Sequence, residues 1–142
     1  MTIRAILQNK GDDTISIAST ACVADAVALL AEKRIGALPV IDGGQVVGVF
    51  SERDVVYCLA SAGAAALDRK VADVMTSPAM TVSQDTGVME GLALMTRRRI
   101  RHLPVVDGAA VHGFISIGDL VKYRIDKIEA EASAMRDYIQ SA

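Results

Sequence analysis

The chain repeats itself. Ile35-Gly36-Ala37-Leu38-Pro39-Val40-Ile41-Asp42 returns 65 residues later as Ile100-Arg101-His102-Leu103-Pro104-Val105-Val106-Asp107. The same offset carries Gly48 onto Gly113, Ser51 onto Ser116 and Asp54 onto Asp119 without a gap. Upstream it carries Val23, Leu29 and Arg34 onto Val88, Leu94 and Arg99. Chance does not produce that agreement, so the sequence is two copies of one unit, joined near Gly63 to Asp68. Units of this kind bury their apolar faces against one another, which is why a repeat decides architecture before any local pattern does. At 142 residues the chain has room for one ordinary core or two small ones packed together. We divide it at 1–65 and 66–142.

Each copy can be read locally. Ser16-Ile17 and Thr81-Val82 read as the ends of short strands. Val23, Ala26, Val27 and Leu30 then follow helical spacing. Thr20 and Asp85 stand at matching places before the two helices and are expected to cap them. A strand follows at Leu38 to Ile41, opened by Pro39, which a strand tolerates at its start or edge. Asp42-Gly43-Gly44 signals a hairpin, with Val46 to Phe50 returning. The second copy repeats this with Leu103 to Val106, Asp107-Gly108 and Val111 to Ile115. A further helix begins after Ser51, ending near Gly63, and another after Ser116. The last one runs on towards Gln140, with Val121, Ile125, Ile128, Ala132, Met135 and Ile139 three or four residues apart. That extension exceeds what one unit needs, which leaves two uses open: covering the module, or pairing with a second chain. Each unit therefore reads strand–helix–strand–strand–helix, with a three-stranded sheet too small to stand alone. The predicted class is α+β, two related halves packed sheet to sheet about a pseudo-twofold axis.

Composition excludes several functions. A net charge of −2 gives no field that would draw nucleic acid or an anionic membrane. No run approaches the roughly 20 apolar residues that cross a bilayer, and Met1-Thr2-Ile3-Arg4-Ala5 does not open a secretory signal. Cys22 and Cys58 are too few for a disulfide framework or a metal site and read as buried free thiols. A cytoplasmic protein is expected. With aromatics at 4%, Met80, Met89 and Met95 read as core filling. No nucleophile–base–orienter set, His-rich spacing or glycine-rich phosphate loop points to an enzyme. His102 and His112 are the two histidines, and His112 is expected on the outward face of a strand.

The order helix, Leu-Pro-Val, Asp-Gly turn, Gly-apolar-apolar-Ser-x-x-Asp, helix resembles the CBS domain, which occurs in pairs called Bateman modules. The likeness covers roughly residues 2–62 and 71–125. Asp73-Val74-Met75-Thr76 resembles the usual opening of the second domain, with Ile3 to Leu7 as a degenerate counterpart in the first. The resemblance implies a non-catalytic regulatory module that binds an adenine-containing ligand in the clefts between domains: AMP, ADP, ATP, NAD or NADH, or S-adenosylmethionine. It also implies a homodimer, with an unidentified regulated protein as a further partner.

The residues themselves suit that chemistry. Ser51 and Ser116 stand where a strand turns into a helix, so free N–H groups and the positive helix end offer a phosphate site. A carboxylate one turn later, Asp54 or Asp119, can accept both hydroxyls of a ribose. Ser-x-x-Asp is equally the form of a helix-capping box, and both roles stay open. Arg97 and Arg98 read as a solvated helix end. Arg101 and His102 replace Gly36 and Ala37 of the first copy, so their charge was not required by the fold, and either could hold a phosphate. Arg53 is another candidate, since Gly118 stands in its place in the second copy.

By resemblance, one site combines Ser51, Arg53 and Asp54 with Thr76, Met80, Ile100, Arg101 and His102. The other combines Phe114, Ser116 and Asp119 with Ile15, Ile35, Gly36 and Ala37. The first is richer in cations and is expected to prefer more highly charged phosphates. Two alternatives are a dimerisation or docking module without a ligand, and a nucleic-acid binder using Arg97 to His102. Against the latter, no aromatic residues interleave with that cluster to stack bases.

Overall fold

The computed structural model describes residues 1–11 and 14–141. Its elements run α1 (Ile3–Lys10), α2 (Val23–Lys33), β1 (Ala37–Asp42), β2 (Gln45–Ser51), α3 (Glu52–Ala62), a 3-10 helix (Gly63–Asp68), α4 (Val71–Val74), α5 (Val88–Arg98), β3 (His102–Asp107), β4 (Ala110–Ser116) and α6 (Ile117–Ser141). The duplication is repeated in the backbone. β1 and β2 pair antiparallel from Ala37↔Ser51 to Asp42↔Gln45, with an irregularity between Val40 and Ile41. β3 and β4 pair from His102↔Ser116 to Asp107↔Ala110, with the same irregularity between Val105 and Val106. Gly43 and Gly44 close the first hairpin at φ 57° and 79°, the left-handed conformation that a tight hairpin turn demands.

The expected third strand is reduced to one residue in each half. Ile17 donates to the Pro39 carbonyl and accepts from Ile41, at 3.2 and 2.9 Å; Val82 does the same with Pro104 and Val106, at 3.0 and 2.9 Å. The chain turns immediately afterwards, through Ala21 N–H to Ala18 O and Thr86 N–H to Ser83 O, so no second pair can form. The two sheets are thus antiparallel hairpins, each with a single parallel bridge.

Thr20 and Asp85 do not cap the helices. Cys22 and Gly87 hold the cap positions; the cysteine side chain bonds no helix amide, and glycine has none to offer. Distant carbonyls satisfy the first amides: Val23 N–H donates to Arg69 O at 2.8 Å, and Val88 N–H to Met1 O at 3.3 Å. Asp85 accepts from Arg4 instead, at 2.7 Å.

Those bonds show how the halves are tied. Val71 and Ala72 donate to Ala21 and Ser19; Ile3 and Arg4 donate to Thr86 and Gln84, the repeat mates of Ala21 and Ser19. Ile3 to Leu7 is therefore the structural counterpart of Val71 to Met75. Each segment serves the copy other than the one it precedes in sequence. Val71 and Ala66 complete the first core, with Val23, Ala26, Leu30, Leu38, Val40, Phe50 and Cys58. Ile3, Ile6 and Leu7 complete the second, with Val82, Val88, Met95, Leu103, Val105, Ile115 and Leu120. The chain crosses between halves at both ends of the first copy, so the cores do not divide where the sequence copies do.

Of the three methionines expected in the core, Met95 is there, whereas Met80 and Met89 are exposed. Cys58 is buried and Cys22 half-buried, both free. His112 is exposed on β4, as expected.

Candidate functional site

Two strand-to-helix junctions build the site, one per copy. Ser51 closes β2 and Ser116 closes β4, and each carries the carboxylate three residues on. Ser51 N–H donates to Asp54 Oδ2 at 2.9 Å, and its hydroxyl to the same oxygen at 3.2 Å. Ser116 N–H donates to Asp119 Oδ2 at 2.9 Å, and Asp119 N–H to Ser116 Oγ at 3.1 Å. The capping role is therefore real in both copies, and it fixes where each carboxylate points.

The carboxylates then part company. Asp54 is 8% exposed and accepts its other bond from the Thr76 hydroxyl, at 3.0 Å. Asp119 accepts from the Lys10 ammonium at 2.7 Å, while the same ammonium donates to the Phe114 carbonyl at 2.8 Å. Burial pushes Asp119 up, but the bonds from Lys10 and Ser116 outweigh it and hold the carboxyl below its ordinary value. One acidic group is thus clasped by a neutral hydroxyl, its twin by a cation.

Two cavities flank these junctions. The first, about 560 Å³, brings Ser51 and Arg53 together with Thr76, Met80, Ile100, Arg101 and His102. Of the set expected here, only Asp54 is missing from the wall, because it lies behind Ser51 and Thr76. The second, about 400 Å³, brings Ile15, Ile35, Gly36 and Ala37 against Phe114, Ser116 and Asp119, the whole expected set.

Several wall residues were not anticipated. Glu52, Pro78, Ala79, Arg98 and Arg99 line the first cavity; Lys10, Thr14 and Arg34 line the second. Arg98 belongs to the wall and not to a merely solvated helix end. Arg34 and Arg99 were visible as repeat mates, but their placement depends on a backbone detail. Each ends its helix at φ 54°, in the left-handed region. That conformation costs a non-glycine residue about 1–2 kcal/mol, and here it turns the chain from helix to cavity wall. Four arginines thus line the first cavity, against Lys10 and Arg34 in the second.

His102 lines both cavities. Its ring stacks on Phe114, centroids 5.5 Å apart and planes 13° from parallel. Burial chiefly, and then the charges of Arg101 and Lys10, hold its pKa below the ordinary histidine value. At neutral pH it is an uncharged hydrogen-bonding partition, so the guanidinium groups are the permanent cations facing an anion.

Gly48 and Gly113 stand where another segment of the chain presses on the strand. A Cβ on Gly48 would lie 2.7 Å from Met75 Sδ and 2.8 Å from the Thr76 carbonyl; on Gly113 it would lie 2.7 Å from Leu7 Cδ2. The close approach they allow is to the crossing segments of the chain itself.

Among the described residues no cluster of metal-ligating side chains occurs, and no helix is long and apolar enough to cross a membrane. A family model for the CBS domain matches the chain twice, over residues 12–61 and 71–126. A mitochondrial CBS domain-containing protein of Arabidopsis thaliana is 31% identical over 148 residues, covering 98% of this chain and 72% of that protein. The crystal structure of a CBS-domain containing protein from Agrobacterium tumefaciens is similar at 34% identity and a TM-score of 0.83, covering 87% of this chain and 99% of that one. The structure of CBSX2 in complex with AMP is similar at 28% identity and a TM-score of 0.74, covering 88% and 96%.

Proposed function

Since the chain belongs to the CBS-domain family, as a pair of such domains, we propose that it is a non-catalytic sensor of an adenine nucleotide, bound in the first cavity between its halves. The observation that carries this reading is the make-up of that cavity. Arg53, Arg98, Arg99 and Arg101 give the anionic end of a ligand a cationic wall, while Pro78, Ala79, Met80 and Ile100 give a flat base an apolar one. Ser51, at the N-terminus of α3, adds a hydroxyl and the helix dipole for a phosphate. Its volume falls within the range typical of small-molecule sites. A relative of this fold solved with AMP supports the ligand class.

In this reading the arginines select ATP or ADP over AMP at the first cavity, and the second, where Lys10 is already engaged by Asp119, takes a less charged ligand or none. NAD, NADH or S-adenosylmethionine would meet the same adenosine contacts with fewer phosphate charges to satisfy. The wall is drawn from both halves, so occupancy favours one relative orientation of them, and a regulated partner reads that population. We place the sensor in the cytoplasm; the free thiols of Cys22 and Cys58 suit a reducing compartment.

A second reading, a docking unit without a ligand, is favoured by one observation: Asp54 and Asp119 already have partners in their own helix caps. Calorimetric titration with AMP, ADP, ATP, NAD, NADH and S-adenosylmethionine separates the two. Arg53→Ala and Arg101→Ala are the informative variants because they leave both caps intact. Binding of a nucleoside polyphosphate that weakens tenfold or more in either variant supports the sensor. No binding of any ligand to a folded wild-type chain leaves the docking unit. Tighter binding of a generic oligonucleotide than of any nucleotide would return Arg97 to His102 to the nucleic-acid reading.

A further inference from the structure

α6 leaves the module early. Leu120 is buried and Tyr123 half-buried, yet every residue from Ile125 to Ser141 is exposed. Along this free length Val121, Ile125, Ile128, Ala132, Met135 and Ile139 alternate spacings of four and three, the seam of a coiled coil. Ile125, Ala132 and Ile139 take one seam position; Val121, Ile128 and Met135 take the other. Val121 lies one residue, about 100°, round the helix from Leu120. The seam is therefore a different face from the one that packs on the second core. Five of its six side chains are exposed large hydrophobics, a contiguous stripe of the kind that marks an interaction surface.

Charges flanking the seam identify the occupant. In a parallel, in-register pair, each residue just before one seam position faces the residue five places on in the partner helix. Arg124 then meets Glu129 of the second copy, and Glu131 meets Arg136, each contact occurring twice by symmetry. An antiparallel pair that joins all six layers instead sets Glu129 against Glu129 and Lys122 against Arg136. Within one chain, Arg124, Glu129, Glu131 and Arg136 form no salt bridge among the described residues. We propose that α6 is a dimerisation helix, pairing in parallel and in register with α6 of a second copy of this chain. Two and a half heptads are short for an isolated helix pair, but each helix is anchored at its start by Leu120 in the core.

This deepens the homodimer expectation and does not depend on the nucleotide reading. The test uses the full chain in sedimentation and in mild oxidation. Ala132→Cys, at the seam, is expected to give an inter-chain disulfide at least tenfold faster than Ala130→Cys, on the outer face. Glu131→Arg is expected to weaken dimerisation several-fold, and Glu131→Arg combined with Arg136→Glu to restore it. A dimer in which both cysteines react equally slowly overturns the helix pairing alone and moves the interface elsewhere, such as the exposed Val56, Tyr57 and Leu59 of α3. Cross-linking of mixed Ile128→Cys and Ala132→Cys chains, without self-linking of either, overturns the parallel sense. A chain that stays monomeric overturns the pairing and the homodimer together.

Discussion

Asp54 and Asp119 occupy one place in two copies of a unit, and their surroundings give them different tasks. Asp54 is nearly sealed and holds Ser51 and Thr76. Its truncation takes the charged acceptor from the half-buried Ser51 amide and from the Ser51 and Thr76 hydroxyls, and hydrogen bonds to a charged group are worth about 1–3 kcal/mol. Asp54→Ala is therefore expected to lower the urea midpoint more than Asp119→Ala, whose partner Lys10 can turn to solvent. Lys10→Met should raise the Asp119 pKa, because burial then loses its main opponent; carbon-detected carboxyl titration reads the shift. Asp119 is depressed in the folded chain, so its contribution is present above the ordinary carboxylate pKa and is lost as pH falls through the folded value. His102 runs the other way in charge but the same way in pH. Its folded pKa lies below the unfolded value of about 6.5, so the unfolded chain binds the extra proton first. Stability attributable to His102 should fall as pH drops below about 6.5, levelling off once the folded imidazole also charges. Comparing denaturation of wild type and His102→Asn from pH 8 to pH 5 isolates that share; parallel curves would remove the histidine from the account. None of this was legible from Ser-x-x-Asp alone, since Lys10 lies 109 positions from Asp119 and no local pattern joins them.

At the level of elements, the sequence reads well wherever a pattern is local. The helical spacing of Val23, Ala26 and Leu30, and the glycine turns between apolar strands, put helices and hairpins where they are found. The failures share one cause. Thr20 and Asp85 fit the cap preference, yet α2 and α5 take their first partners from Arg69 and Met1, and a distant carbonyl leaves no mark beside a helix start. Gly48 and Gly113 were legible as matching positions of the two copies, but what presses on them was not. The two glycines should respond unequally to Ala. At Gly48 the obstacle includes a backbone carbonyl, at Gly113 the end of a leucine side chain that can swing away. Gly48→Ala is expected to cost about 1–3 kcal/mol, the usual range for overpacking, and Gly113→Ala to fall at or below its lower end. Thermal unfolding of the pair decides it, and equal losses would mean that Leu7 is held as rigidly as the Thr76 backbone.

For the whole molecule, the 65-residue repeat announced two packed halves and left their exchange of segments hidden. Ile3 to Leu7 belongs by order to the first copy and by packing to the second core; Val71 does the reverse. A repeat reveals which segments are alike, not which partner each one chooses, because both choices bury similar side chains. The exchange has a mechanical consequence. Each cavity has on its wall residues joined directly to a crossing segment, Thr76 after α4 in the first and Lys10 at the end of α1 in the second. Loosening a crossing segment should therefore open the cavity and the core it serves while sparing the other half. Ile3 is fully buried, and Ile3→Ala is expected to cost about 2–5 kcal/mol. In hydrogen exchange the loss of protection should appear in β3, β4 and α5, more than 80 residues away in sequence, and leave β1, β2 and α2 nearly as slow as before. Uniform loss would show that the halves unfold as one cooperative unit; loss confined to the first half would mean that chain order, not the crossing, governs the packing.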